Sequence, residues 1–313
     1  MNITTKNNIV DALEQFLKEH SISQNEFAAK TKINSAYISV MLKRKYTTNA
    51  GAGKEVEIAD KWFKKIAEFI GFSLEKTYWE ARQTPQMMHM VSGLIDAKAH
   101  GNTVVLIGES GCGKSFTTNL VVKQNPTDTF VVTIGSNDIL ADIIDKVMDV
   151  LNLTTAKTKG KKIRKIVAHL REMKMQGKTP MLIFDESEYM KQMTLCMMKE
   201  FYDGLHGYCA IALIGTNQLL RKIENMRKKN KDGIPQFYRR IKFGIRHLPL
   251  IDKTFNQFLN GLEKQVIQFV QMNCDNYGEL HDMLVPVMRE ADRAGEKITE
   301  AFIRKVHNMP KMA

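Results

Sequence analysis

The residues Gly108-Glu109-Ser110-Gly111-Cys112-Gly113-Lys114-Ser115 follow the apolar run Val104-Val105-Leu106-Ile107 and precede Phe116-Thr117-Thr118-Asn119-Leu120-Val121-Val122-Lys123. A strand, a glycine-rich loop and a helix opening at Lys-Ser make an arrangement that grips phosphate. The glycines let backbone N–H groups wrap a polyphosphate, and the following helix aims its positive end at it. Lys114 reaches the terminal phosphate oxygens, and the Ser115 hydroxyl suits Mg²⁺. The expected nucleotide-binding set is Gly108, Glu109, Ser110, Gly111, Cys112, Gly113, Lys114, Ser115 and Phe116. Cys112 reads as a loop residue with no redox task.

A second constellation begins about 70 residues on. Met181-Leu182-Ile183-Phe184-Asp185-Glu186-Ser187 is an apolar strand ending in two acids. Asp185 is expected to hold the metal through water, and Glu186 to polarise the water that attacks the γ-phosphate. Such a water-activating Glu disfavours a simple metabolite kinase, where the nucleophile belongs to the substrate. Asn217, just past the apolar run 210–214, could orient the same water. Arg239-Arg240 precede the last strand pattern. A guanidinium there could stabilise transition-state charge in a neighbouring subunit, contact DNA phosphate, or be plain surface charge.

The chain carries 46 Lys and Arg against 34 Asp and Glu, a net charge of +12. Residues 157–178 hold nine basic and one acidic residue, and residues 221–246 hold ten and two. The rest of the chain is slightly acidic, so the excess is concentrated in two stretches. That pattern suits contact with a phosphate backbone, which carries little sequence information, the other reading being a solvated or ion-paired face. Lys157, Lys159, Lys161, Lys162, Arg227, Lys228, Lys229 and Lys231 are the candidates. The four cysteines form no C-x-x-C pair, so neither a zinc site nor a disulfide framework is expected. No apolar run approaches the ~20 residues that span a bilayer. The opening residues lack a signal-peptide core, so no membrane and a cytoplasmic location are expected.

These groups need elements to hold them. Residues 1–80 read as a helical unit. Ser23 and Glu26 form a capping box for a helix to about Thr31. After a break at Lys32-Ile33, a cap at Asn34 or Ser35 opens a helix through Tyr37, Ile38, Met41 and Leu42. The pair suggests a helix-turn-helix, with Phe27, Ala28, Ile33, Ile38 and Leu42 in its core. Ser35, Ala36, Tyr37 and Ser39 would face the groove, and Lys43, Arg44 and Lys45 would reach phosphates. A loop is expected at 47–53 and a helix over 55–70. From about residue 86 strand and helix patterns alternate, with strands at 103–107, 129–134, 181–184, 210–214 and about 243–248, which predicts an α/β parallel sheet. Helical patterns at 254–273, 278–293 and 298–307 close the chain. The expected domains are 1–80, helical and DNA-binding; 81–252, the α/β ATPase core; and 253–313, a helical lid.

The phosphate loop, the Asp-Glu pair, the strand-end Asn and the Arg before the fifth strand together resemble an AAA+ P-loop NTPase. The order of helix-turn-helix, ATPase core and helical tail over about residues 20–308 resembles the transposition B proteins of Mu-like phages. That resemblance implies a five-stranded parallel core with a C-terminal helical lid and an N-terminal all-α domain. It also implies ATP and Mg²⁺, slow DNA-stimulated hydrolysis, a homo-oligomeric helical filament on target DNA, and a transposase as partner in the bacterial host cytoplasm. The trans-acting finger maps best onto Arg240, before Ile241. Where the family commonly has Gly-Ala-Leu-Arg, this chain has Gly278-Glu279-Leu280-His281. Either His281 substitutes for that Arg at the γ-phosphate, or Arg289 or Arg293 reaches in, or lid sensing is lost. Two other readings stay open: a helicase loader of the same ATPase clade, and a nucleotide-gated transcription regulator.

Overall fold

The computed structural model describes residues 1, 3–19, 22–49, 55–72 and 78–310. The chain divides into two compact units, Met1–Tyr78 and Trp79–Ala313.

The first unit contains α1 (Ile3–Glu19), α2 (Gln24–Thr31), α3 (Ser35–Leu42), β1 (Thr47–Asn49), β2 (Glu55–Glu57) and α4 (Asp60–Ile70). The Ser23–Glu26 capping box is formed, and Asn34 caps α3 by accepting from the Ala36 N–H at 2.9 Å. Between the helices Lys32 takes a left-handed conformation (φ 53°), which lets the chain turn sharply without a glycine. Phe27, Ala28, Ile33 and Ile38 are buried with Ile9, Leu13, Phe63 and Ile66. Met41 rather than Leu42 completes this side of α3, and Leu42 is only half-buried. The helix expected from residue 55 begins instead at Asp60. Glu55–Glu57 pairs antiparallel with Thr47–Asn49, since Val56 between two glutamates suits a strand better than a first helical turn. The tip of the expected loop, residues 50–53, lies outside the described residues.

The second unit begins with α5 (Pro85–His100), opened by Thr84, whose hydroxyl accepts from the Met87 N–H. It continues through β3 (Thr103–Ile107), α6 (Lys114–Gln124), β4 (Thr129–Thr133), α7 (Leu140–Val150), α8 (Lys159–Met175), β5 (Met181–Asp185), a 3₁₀ turn at Ser187–Tyr189, α9 (Gln192–Leu205) and β6 (Ala210–Gly215). Then follow α10 (Asn217–Lys228), α11 (Ile234–Ile241), a 3₁₀ turn at Lys242–Gly244, β7 (Ile245–His247), α12 (Asn256–Leu259), α13 (Lys264–Asn273), α14 (Tyr277–Ala294) and α15 (Glu300–Val306). The five strands β3 to β7 form one parallel sheet in the order β4-β5-β6-β3-β7. Strand β6 therefore lies between the strand feeding the phosphate loop and the strand ending in Asp185. Parallel strands covered on both faces read as continuous apolar runs, as TVVLI, MLIFD and AIALIG do. One face packs against α7 to α11, the other against α5 and α6.

The C-terminal helices enclose their own core around Phe255, Val266, Phe269, Leu280, Leu284 and Ile303. The expected continuous helix 254–273 is broken into α12 and α13, because Gly261 turns the chain with φ 88°.

One buried ion pair ties the sheet to α5. Lys98, 9% exposed, donates to Asp128 Oδ1 at 2.6 Å, to the Thr179 carbonyl at 2.6 Å and to Thr129 Oγ1 at 3.1 Å. Burial raises the Asp128 pKa, but the Lys98 ammonium and the Thr179 N–H and hydroxyl outweigh it and leave the carboxyl below its usual value. A depressed carboxylate pKa stabilises the fold above its unfolded value and ceases to do so as pH falls through the folded one. Lys98→Met should cost about 3–5 kcal/mol by stranding a buried carboxylate, measured by chemical denaturation at neutral pH. The difference from wild type should shrink in acid.

Candidate nucleotide site and basic surface

The phosphate loop joins the end of β3 to α6, and one cavity of about 500 Å³ opens beside it. Ser110, Gly111, Cys112, Gly113, Lys114, Ser115 and Phe116 line this cavity with Asp185 and Glu186. Gly113 takes φ 90° and Gly111 φ 70°, conformations that L side chains rarely adopt. Lys114 Nζ donates to the carbonyls of Gly108 (3.1 Å) and Glu109 (2.7 Å), which places its charge against the loop. Gly108 and Glu109 stand outside the lining. Glu109 instead accepts from the Ile251 N–H at 3.2 Å, so it ties the loop to the segment after β7. Burial pushes the Cys112 thiol up, which keeps it protonated and inert.

Asp185, 4% exposed, ends β5 and accepts from Ser115 Oγ at 2.6 Å. Its other oxygen accepts from the Glu186 N–H at 2.9 Å. A hydroxyl and a carboxylate converging beside a phosphate loop are hard oxygen donors of the type Mg²⁺ prefers, so this pair fits the ion. Among the described residues no cluster of three or more His, Cys, Asp or Glu could hold a metal alone, so phosphate oxygens would supply further ligands. Glu186 is exposed, lines the cavity and is left-handed at φ 56°. That backbone conformation is unfavourable for a glutamate, at a cost of about 1–3 kcal/mol.

Strand β6 runs one residue further than the expected 210–214. β6 extends to Gly215, so Thr216 caps α10 and lines the cavity, while Asn217 is the exposed first residue of α10 and lies outside the lining. His281 lines the cavity, its ring edge-on to Trp79 at 5.1 Å and its Nδ1 2.9 Å from Asp282 Oδ1. Arg289 and Arg293 do not reach the site. They lie two to four turns further along α14 and both pair with Glu290.

Several wall residues escaped the sequence reading. Trp79, Arg82, Thr84 and Met87 come from the segment leading into α5 and from its first turn, and Phe258 and Tyr277 from the C-terminal helices. Trp79 stacks on Phe258 with ring centroids 4.8 Å apart, which gives the cavity a flat aromatic side. The lone sequence signal was an aromatic pair, Tyr78-Trp79, just ahead of a proline.

Arg239 and Arg240 diverge around α11. Arg240 is not presented to solvent: its side chain is 17% exposed and forks onto Asp203 of α9, Nε to Oδ1 at 2.6 Å and Nη2 to Oδ2 at 2.9 Å. That contact holds the Asp203 carboxyl below its usual pKa. Arg239, about 100° further round the helix, is exposed.

The basic candidates divide in the same way. Lys157, Lys159 and Lys161 are exposed at the start of α8, whereas the Lys162 side chain is 17% exposed and ion-paired with Asp145 of α7. Lys228, Lys229 and Lys231 are exposed at the end of α10, and Arg227 lies over the Tyr238 ring at 4.2 Å. The Asp232 carbonyl accepts from Gln192 Nε2 at 3.2 Å, which puts this turn beside the start of α9. Helix α9 leaves the carboxyl end of β5, and α8 runs back to the start of β5. The turn after α10 therefore lies toward the end of the sheet that carries the cavity. In the first unit Ser35 and Lys43 are exposed. Tyr37 is half-buried with its ring 6.1 Å from Trp62, and Arg44 turns back onto Asp11 and Glu14, so neither projects as expected.

Among the described residues no helix is long and apolar enough to cross a membrane. Residues 97–223 match the AAA domain family. No curated protein matches the chain. The crystal structure of Cdc6p from Pyrobaculum aerophilum superposes with a TM-score of 0.54 at 16% identity, covering 75% of this chain and 69% of that one. The Aeropyrum pernix ORC2 protein in its ADP form gives 0.50 at 13%, covering 75% and 71%. In its ADPNP-ADP complexes it gives 0.49 at 14%, covering 71% and 66%. The chain thus spans about two thirds of these proteins' length. Strand order, phosphate loop and family match agree: the chain has the AAA+ P-loop NTPase fold, with an AAA-type ATPase domain over residues 97–223.

Proposed function

We propose that this chain is a Mg²⁺-dependent ATPase that oligomerises on duplex DNA and acts in transposition, presenting target DNA to a transposase. The observation that carries the hydrolytic part is the convergence of Ser115, Asp185 and Glu186 on one cavity beside the phosphate loop. Ser115 and Asp185 would hold Mg²⁺, which when bound neutralises charge on the phosphates. Lys114 and the N-terminus of α6 bind the phosphate chain. Glu186 takes the proton of a water whose oxygen bonds to the γ-phosphorus, while the bond to the β-phosphate oxygen breaks and ADP leaves. Thr216, rather than Asn217, supplies the strand-end group that orients this water, and the Trp79–Phe258 stack offers a face for the base. Across a subunit boundary Arg239 is the free guanidinium.

The DNA part is supported by the two groups of exposed lysines, at the start of α8 and at the end of α10. Neutralising Lys159 and Lys161 together should flatten the dependence of log K on log salt by roughly two units, about 0.9 for each lost phosphate contact. Lys162→Gln should leave the slope unchanged, because its ammonium is held by Asp145. An unaltered slope in the double variant would return these lysines to a solvated face. Electron micrographs of the protein on duplex DNA, with and without ATP, test the assembly; a continuous ATP-dependent coat is expected. Strand-transfer assays with a transposase test the transposition role, and no stimulation in the presence of that coat would remove it.

A further inference from the structure

The turn that carries Glu186 is under local stress. Glu186 is left-handed, and Glu188 Oε2 is buried with no hydrogen-bond partner. That oxygen lies against the last residue of β6: a Cβ placed on Gly215 would meet it at 2.7 Å. Within the turn, the Tyr189 N–H reaches the Glu186 carbonyl at 3.1 Å and the Met190 N–H the Ser187 carbonyl at 3.0 Å. From outside, Lys222 of α10 donates its ammonium group to the carbonyls of Glu188 and Met190, the latter at 3.3 Å.

Lys222 stands apart from its neighbours in the second basic stretch. It is half-buried, and burial pushes its pKa down while the Glu188 carboxylate opposes that shift. Burying an ammonium group costs free energy that an ordinary surface lysine avoids by staying in water. Here the group is spent on two backbone carbonyls, and both belong to the catalytic turn. The same eight residues, Gly215 to Lys222, supply the flat glycine under Glu188, Thr216 in the cavity wall, and this ammonium.

We propose that Lys222 is a positioning residue for hydrolysis, clamping the 186–190 turn so that Glu186 keeps its aim into the cavity. The proposal rests on the hydrolytic reading above. Lys222 touches neither nucleotide nor metal candidate, so its loss should act on turnover and spare binding. A misaimed catalytic group costs up to on the order of 10²-fold.

In the full-length protein, Lys222→Met should lower kcat by roughly 10- to 100-fold while the Kd for a fluorescent ATP analogue stays within about two-fold. Lys222→Arg, which can still donate to both carbonyls, should recover most of the rate. Unchanged kcat in folded Lys222→Met would overturn the proposal, as would an arginine variant as slow as the methionine one. Should the methionine variant fail to fold, Lys222→Gln retains one amide donor and should lie between wild type and full loss; a wild-type rate there overturns the proposal equally. Combination with Glu186→Gln separates this idea from the reading beneath it. If Lys222 acts through Glu186, the double variant is no slower than Glu186→Gln alone. An additive loss would sink the clamp while leaving Glu186 as the base. Full activity in Glu186→Gln itself would sink the hydrolytic assignment.

Discussion

Glu186→Gln is expected to bind ATP as wild type does, hydrolyse it on the order of 10²–10⁴-fold more slowly, and give long-lived assemblies on DNA. The amide keeps the size of the side chain and its left-handed backbone but cannot accept the water's proton. Nothing in the phosphate grip depends on it, because Ser115 stands on α6, Asp185 on β5 and the P-loop backbone on the turn between β3 and α6. Lys114→Ala should fail earlier. It removes the one lysine of the phosphate loop, so ATP affinity falls and no ATP-dependent coat forms. The comparison is a filter-binding or fluorescence measurement of ATP affinity beside a time course of DNA release. If both variants left DNA equally fast, hydrolysis would not be the release step, even with the ATPase chemistry intact.

What the sequence made legible, and what it hid, follows from the range of the interactions involved. The phosphate loop, Asp185 and Glu186 could be read because each is defined by its immediate neighbours along the chain. An apolar run stops, and polar residues of the right type begin. The sheet's five runs were legible for the same reason. Arg240 is placed by its position before Ile241, but its fork onto Asp203, 37 residues away, is a contact that no local pattern reveals. Lys162 was hidden in the same manner by Asp145 of a different helix. That Thr216 and not Asn217 lines the cavity turns on one residue at the end of β6, the scale on which strand ends are hardest to read. Trp79, Phe258 and Tyr277 meet only when the segment before α5 and the C-terminal helices fold around the same cavity. Glu55–Glu57 is a strand by virtue of its pairing with Thr47–Asn49, a partner that its own three residues do not announce.

The last expectation concerns the two arginines, and it asks whether the active unit is an oligomer. A finger acting across a subunit boundary cannot serve its own nucleotide, so an isolated monomer should bind ATP normally and hydrolyse it poorly. Removing such a finger costs on the order of 10³-fold or more in rate. Arg239 is exposed and one helical position from Arg240, whose guanidinium is already forked onto Asp203 and lies over the Tyr202 ring at 5.8 Å. Recruiting Arg240 would require breaking both oxygen contacts at once; recruiting Arg239 requires only a rotamer change. Arg239→Ala should therefore abolish DNA-stimulated hydrolysis with monomer ATP affinity intact. Arg240→Ala should mainly loosen α11 from α9, seen as a lower melting temperature, with a smaller loss of rate. A DNA-contacting arginine would also weaken the coat, and mixing separates the two roles. Arg239→Ala subunits keep a sound phosphate loop, and Lys114→Ala subunits keep a sound Arg239. Co-assembled, they create boundaries that pair one intact finger with one intact site, so part of the DNA-stimulated rate should return. A mixture no faster than its components, with co-assembly demonstrated, would take the role from Arg239. Recovery with Arg240→Ala in its place would then give it to Arg240, with the Asp203 pair as a contact that opens when the neighbour docks.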